Sequence, residues 1–156
     1  MADIHTRARS AYYLAGGAAE EVSADPAVLG ECEAAWARVI ASASLTALCA
    51  EVRGGGMVGV LAMGAPKDAD IDASVYRQLF QIHVHPDFWG CGVGGALHEA
   101  FAGRLVAGGF IGGVLEAWEA NARARGFYAR RGWREDGDRR PGPRDVDYVR
   151  MRLRVG

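Results

Sequence analysis

Residues 79–105 read LFQIHVHPDFWGCGVGGALHEAFAGRL, and this stretch decides the fold. Its first part, residues 79–85, is apolar or aromatic enough for a buried strand, and Pro86 removes the backbone donor that would continue a ladder. Gly90, Gly92, Gly94 and Gly95 follow, and Val93, Ala96, Leu97, Ala100, Phe101 and Leu105 then recur at the spacing of a helix with one apolar face. A strand, a glycine-rich turn and a helix together make an anion site. Glycines let the backbone take positive φ and let a ligand approach closely, while the helix start offers unpaired N–H groups and the positive end of the macrodipole. The expected ligand carries phosphate.

Gly90-x-Gly92-x-x-Gly95 also satisfies the dinucleotide fingerprint, with Glu116 standing where a ribose-binding acid would be sought. A dinucleotide-binding domain needs several further βα units after this turn, and the roughly sixty residues that remain are too few for a doubly wound sheet. Glu116 also sits inside the apolar run 111–118 and not at its end. A nicotinamide or flavin site is therefore the weaker reading, as is a purely structural turn.

What surrounds the turn is more specific. Val84-x-Pro86, Gly90-x-Gly92-x-Gly94, and then Asn121, Ala124, Phe127-Tyr128 and Gly132-Trp133 resemble the GNAT superfamily of N-acetyltransferases, most strongly over residues 79–133. The resemblance implies an α/β (α+β) fold, a mixed, mostly antiparallel central sheet flanked by helices, with acetyl-CoA as co-substrate and no metal. In that fold the strand ending at Val84 and the strand near 114–118 splay apart. The backbone of Ile82 and Val84, on either side of His83, would pair with the pantetheine arm like an added strand. The diphosphate would rest on the N–H groups of Gly90, Cys91, Gly92, Val93, Gly94 and Gly95, with Ala96 opening the helix. The family usually has Arg or Gln where this chain has Trp89, which removes a side-chain contact to phosphate worth about 1–3 kcal/mol. Trp89 is then either a loop aromatic packed on the protein or a stacking partner of the cofactor. Cys91 has no His and acid placed to make it a nucleophile and reads as a bystander.

The second block carries the chemistry that the resemblance implies. Asn121 suits a helix N-cap and a hydrogen bond to the pantetheine arm. Tyr128 lies where the family places a tyrosine beside the CoA sulfur, and its phenol could protonate the departing thiolate. Phe127 reads first as core and also borders the cofactor. Direct acyl transfer requires a neutral amine, so a proton acceptor is needed. The family often supplies a Glu early on the strand ending at Val84, where this chain has Gln78, able at most to hold a water. His83 and Glu119 are the remaining candidate bases.

The 156 residues form one expected domain spanning 1–156. A formal charge of −1, from 18 basic and 19 acidic residues, gives no electrostatic footprint for nucleic acid or an anionic membrane. Cys32, Cys49 and Cys91 are scattered, without a C-x-x-C, and read as reduced thiols of a cytoplasmic protein. No apolar stretch is long enough to span a membrane.

Along the chain, residues 4–15 predict a first helix, with Ile4, Ala8, Ala11, Tyr12 and Ala15 on one face and Gly16-Gly17 as its stop. A GNAT chain typically begins with a strand before this helix, so that strand is expected to be missing or vestigial. The next strand would then be an open edge that a second copy of the chain, in a homodimer, is expected to cover. Asp25-Pro26 starts a second helix whose stripe is Val28, Leu29, Cys32, Ala35, Trp36, Val39 and Ile40. Strands at 47–52 and 57–63 flank Gly54-Gly55-Gly56, a hairpin signal. Residues 65–74 and 137–145 predict loops, the second with Arg139, Arg140 and Arg144 either solvated or drawing an acidic acceptor, and 146–155 a final strand. The function expected is acetyl transfer to a primary amine, with a non-catalytic acyl-CoA-binding module as the alternative. Small amines, antibiotics, amino acids and protein N-termini all remain open as acceptors.

Overall fold

A computed structural model describes residues 1–15 and 26–156. The elements in order are α1 (Ala2–Ala15), α2 (Pro26–Ala41), β1 (Leu45–Glu51), β2 (Met57–Gly64), β3 (Tyr76–Val84), α3 (Val93–Ala107), β4 (Gly112–Trp118), α4 (Ala122–Ala129), β5 (Arg134–Arg140) and β6 (Tyr148–Arg154), with short 3-10 turns at Pro86–Phe88 and Pro143–Asp145. The sequence, read in order as α, α, β, β, β, α, β, α, β, β, predicts this succession. The six strands make a mixed sheet in the order β1-β2-β3-β4-β6-β5. Its parallel pair is β3 with β4, and β1–β2, β4–β6 and β5–β6 are antiparallel. The expected cap Asp25 and stop Gly16-Gly17 lie outside the described residues.

The chain divides into two compact units, Met1–Gly64 with Phe80–Phe101, and Ala65–Leu79 with Ala102–Gly156. In the first, β1 and β2 form the hairpin the glycines predict. Gly54, Gly55 and Gly56 all take positive φ, and Val52 N–H closes the turn onto the Gly56 carbonyl. Alternation along β2 sends Val60 and Ala62 to a core with Ala2 and Ile4 of α1 and Trp36 of α2. Gly59, of opposite parity, faces Val93 and Leu97 of α3, where a Cβ would come within 2.9 and 2.8 Å of their side chains. Only a residue without a side chain lets α3 lie so close. Phe80 packs on the α1–α2 core and His83 stacks on His5 of α1.

No strand precedes α1 among the described residues, in line with the missing first strand, and β1, half-buried, ends the sheet order. Other expectations need correction. In α1 the buried tyrosine is Tyr13, and in α2 Ile40 is exposed. Helix α3 begins at Val93, so Gly94 and Gly95 belong to its first turn and not to the loop. Residues 137–140, expected as loop, continue strand β5. Sequence REDGDRR carries no apolar residue because this strand pairs only with β6 and is exposed along its length.

In the second unit, β4 pairs with β6 from Gly112–Arg154 to Trp118–Tyr148, around a core that includes Val114, Leu115, Val149, Met151 and Leu153. The parallel ladder joins Tyr76, Arg77 and Gln78 to Gly112, Gly113 and Val114. Arg150, buried to 7 % side-chain exposure, receives Asp68, Asp70 and Asp136 within 3.2 Å, and Arg152 shares Asp136. These pairs tie the 65–74 loop and β5 to β6.

Candidate active site

In the first unit, β3 runs into the 3-10 turn at Pro86, where the His85 ring accepts a hydrogen bond from Asp87 N–H at 3.3 Å. Gly90 and Gly92 take φ of +83° and +84°, the left-handed region that other residues enter at a cost. A Cβ built on either glycine meets nothing within 4 Å, so the backbone is open to a ligand's approach. Helix α3 makes its first bond from Ala96 N–H to the Gly92 carbonyl, at 3.0 Å. The N–H groups of Val93, Gly94 and Gly95 therefore precede any intrahelical acceptor and carry the positive end of the helix dipole. The Cys91 N–H, expected in the cradle, instead donates to the Phe88 carbonyl at 3.3 Å. The Cys91 thiol is exposed.

Trp89 turns back onto the strand. Its indole N–H donates to the Val84 carbonyl at 2.8 Å, occupying one of the polar groups of β3 expected to meet the pantetheine arm. A carbonyl oxygen has two lone pairs, so one acceptor position remains on Val84.

His83, between Ile82 and Val84, stacks on His5 with ring centroids 4.1 Å apart and planes at 15°. The His5 Nδ1 accepts from the Trp36 indole at 3.3 Å and lies 3.2 Å from Cys32 Sγ. Burial, with Arg9 nearby, pushes His5 down to about 4. Burial, followed by the charges of His5 and Arg9, holds His83 well below the usual imidazole range. Both rings stay neutral at physiological pH. The sequence reading missed His5, whose partner lies far along the chain. Its one signal is a titratable side chain next to Ile4, a core residue of α1.

In the second unit, Asn121 is the N-cap of α4, its Oδ1 accepting from Ala124 N–H at 3.0 Å. Tyr128, near the other end of this short helix, is buried against Phe127 and Trp133. Burial pushes its phenol above the usual tyrosine range, so it is a proton donor throughout the physiological range. Phe127, expected as core, is half-buried and carries the Arg131 guanidinium 3.8 Å over its ring. Glu119 Oε2 accepts from Arg139 at 2.9 Å, and Glu116 takes Arg140 in a two-bond fork at 2.8 and 3.0 Å. Arg139 and Arg140 are thus neutralised within the unit, which weakens the reading of an acidic acceptor. Gln78 is buried and its Oε1 accepts from Lys67 N–H at 2.9 Å, so it pins the loop where a water was envisaged. No group of three or more His, Cys, Asp or Glu side chains among the described residues is arranged to hold a metal.

A strand ending in a left-handed glycine turn at the start of a helix, on a mixed sheet, is an arrangement whose backbone can grip an anionic group. The chain belongs to the acetyltransferase (GNAT) family, whose sequence model matches residues 10–133. Comparison with curated protein sequences gives no match. Among solved structures, the ribosomal-protein-S18-alanine N-acetyltransferase from Escherichia coli is similar with a TM-score of 0.65 and 25 % identity, over 80 % of this chain and 77 % of that one. The PaiA N-acetyltransferase from Thermoplasma acidophilum, solved in complex with coenzyme A, is similar with a TM-score of 0.68 and 14 % identity, over 99 % and 90 % of the two chains. A GCN5-related N-acetyltransferase from Kribbella flavida shares the fold at 20 % identity and a TM-score of 0.67, over 80 % and 77 %. No described helix is long and apolar enough to cross a membrane.

Proposed function

We propose that this chain is an acetyl-CoA-dependent N-acetyltransferase that passes the acetyl group directly to a bound primary amine. The observation that carries the reading is the start of α3. Gly90 and Gly92 are open above their backbone, and the N–H groups of Val93, Gly94 and Gly95 have no helical acceptor. These residues fit a diphosphate without any cationic side chain, which answers the substitution of Trp89 for the family's Arg or Gln. Ile82 and Val84 would offer main-chain groups to the pantetheine arm. Asn121, its side-chain oxygen already on Ala124, would contribute through its remaining amide donors.

His83, uncharged at neutral pH, accepts the proton that leaves the amine; Glu119 is the second candidate and is held by Arg139. The amine nitrogen bonds to the thioester carbonyl carbon, the carbon–sulfur bond breaks, and Tyr128 gives its phenolic proton to the departing sulfur. The imidazolium gives its proton back to solvent and the phenol is reloaded from it, so no net proton is taken up. The chain works as one domain in the cytoplasm, and pairing of two copies along β1 would cover the open strand. One observation favours a non-catalytic acyl-CoA-binding module: Gln78, at the usual acid position, is buried and bonded. Release of CoA dependent on an added amine decides between them, since a binding module releases none.

A further inference from the structure

We propose that His5 and Trp36 are positioning residues for His83: Trp36 fixes the His5 ring as a neutral imidazole, and that ring, lying flat on His83, holds it in place and leaves it free to accept the proton that leaves the amine. This rests on the acetyltransferase reading above and gives one of its candidate bases a mechanism.

The argument starts from an indole that can only donate. Trp36 is 3 % exposed, and its N–H points at His5 Nδ1 from 3.3 Å. A nitrogen that accepts this bond must carry a lone pair, so the His5 proton is on Nε2. Protonating Nδ1 would set N–H against N–H in a half-buried place. Cys32 Sγ, 3.2 Å from the same nitrogen, is a second weak donor. His5 is thereby locked as a neutral ring, and its face meets the face of His83 at 4.1 Å. Two imidazolium rings at that distance would repel strongly, and one charged ring would oppose charge on the other. Burial acts in the same direction on both. Among the described residues, the other charged or titratable groups facing the pair include Arg9 on α1, Cys32 on α2, and His85 with Asp87 beyond β3; β2 contributes none. Among the described residues no carboxylate lies within ion-pairing distance of either ring to draw a resting proton onto the pair. A base that stays unprotonated at the working pH has a lone pair for the proton that a neutral amine sheds as its nitrogen bonds to the thioester carbon, and His83 is the member on β3, between the two residues expected to line the cofactor.

The test is an NMR titration of the histidine rings in the full chain. In the wild type the ¹⁵N shifts should report the Nε2–H tautomer for His5, with no titration of His5 or His83 between pH 5.5 and 8. Trp36→Phe keeps an aromatic ring but removes the donor. With Nδ1 free to take a proton, His5 should then titrate at a higher pH than in the wild type, though burial still holds it below an exposed imidazole. CoA release should fall more steeply from pH 8.5 to pH 6 than it does in the wild type, read with whichever of spermidine, tyramine, lysine amide and glycine amide is turned over fastest. Adding His5→Phe to Trp36→Phe leaves a stacking ring that cannot be charged, and should restore the wild-type pH profile. An Nδ1–H tautomer in the wild type, an unchanged His5 titration in Trp36→Phe, or no restoration in the double variant overturns the proposal. The first of these needs no variant to fold. Calorimetry separates the failures: a wild type that does not bind acetyl-CoA sinks the acetyltransferase reading itself. Binding with turnover and an unaltered titration sinks only the role of His5 and Trp36.

Discussion

Gly59→Ala is the sharpest mechanical probe of the cradle. The added Cβ would lie 2.8 Å from Leu97 Cδ1 and 2.9 Å from Val93 Cγ1, with the His83 carbonyl at 3.4 Å. Carbon atoms rest at about 3.5–4.0 Å, so the clash is relieved only by moving α3 outward by about 0.7 Å. Leu97 is 3 % exposed and has no room to swing aside, and Val93 is β-branched and stiff. Overpacking of this kind costs about 1–3 kcal/mol. In a chain of this size each kcal/mol lowers Tm by about 2–4 °C, giving a fall of about 2–12 °C. The displaced end of α3 is the one bearing the N–H groups of Val93, Gly94 and Gly95, and charge-assisted bonds weaken steeply with misalignment. Calorimetry should therefore show acetyl-CoA binding at least about tenfold weaker, or about 1.4 kcal/mol. Gly30→Ala is the control: its Cβ meets nothing within 4 Å in the middle of α2, and it should stabilise by about 0.5–1 kcal/mol. A Gly59→Ala variant with unchanged Tm and unchanged affinity would refute the packing argument.

Tyr128→Phe should lower amine-dependent CoA release about 100-fold or more while leaving acetyl-CoA affinity near the wild-type value, because it removes a proton donor and keeps the ring; undiminished turnover would remove Tyr128 as the acid. Trp89→Phe loses the hydrogen bond to the Val84 carbonyl and should cost about 0.5–1.5 kcal/mol in urea unfolding, whereas an unchanged midpoint would mean that bond contributes nothing. Arg150→Met leaves Asp68, Asp70, Asp136 and Asp138 facing one another and should destabilise by about 3 kcal/mol, the low end for a buried partner because Asp70 and Asp138 reach solvent. The same network sets an acid limit. Hydrogen bonding by Arg150 lowers Asp70, and bonds from Arg152, Asp138 N–H and Arg150 lower Asp136 against its own burial. Folded values below the unfolded one mean stability that is fully present above about pH 4 and is lost as pH falls through the folded values. Urea midpoints at pH 7, 5 and 3 should drop mainly in the last step, and less so in Arg150→Met.

The parts of the fold legible in sequence are those fixed by local rules. Gly54-Gly55-Gly56 announced the hairpin, Pro86 ended β3, Asn121 capped α4, and the apolar period of α3 was plain. Strand β5 was illegible past residue 136 because its stability comes from pairing with β6 and from ion pairs, neither of which leaves an apolar alternation. The start of α3 was misjudged because Gly94 and Gly95 look like loop residues yet occupy helical positions in the first turn. At the site, the glycine turn was visible as a motif. The contact of Trp89 with Val84 and the stack of His5 on His83 were not, since both depend on where a side chain turns in three dimensions. Of the neighbours Phe127 and Tyr128, only the helix's orientation decides which is buried, and it is Tyr128.

The most direct test of the account is calorimetric titration of the wild-type protein with acetyl-CoA, CoA and NADH in the same buffer. The backbone cradle at Gly90, Gly92 and the first turn of α3 predicts saturable binding of acetyl-CoA and CoA and none of NADH. Absence of acetyl-CoA binding, or NADH binding in its place, would contradict it.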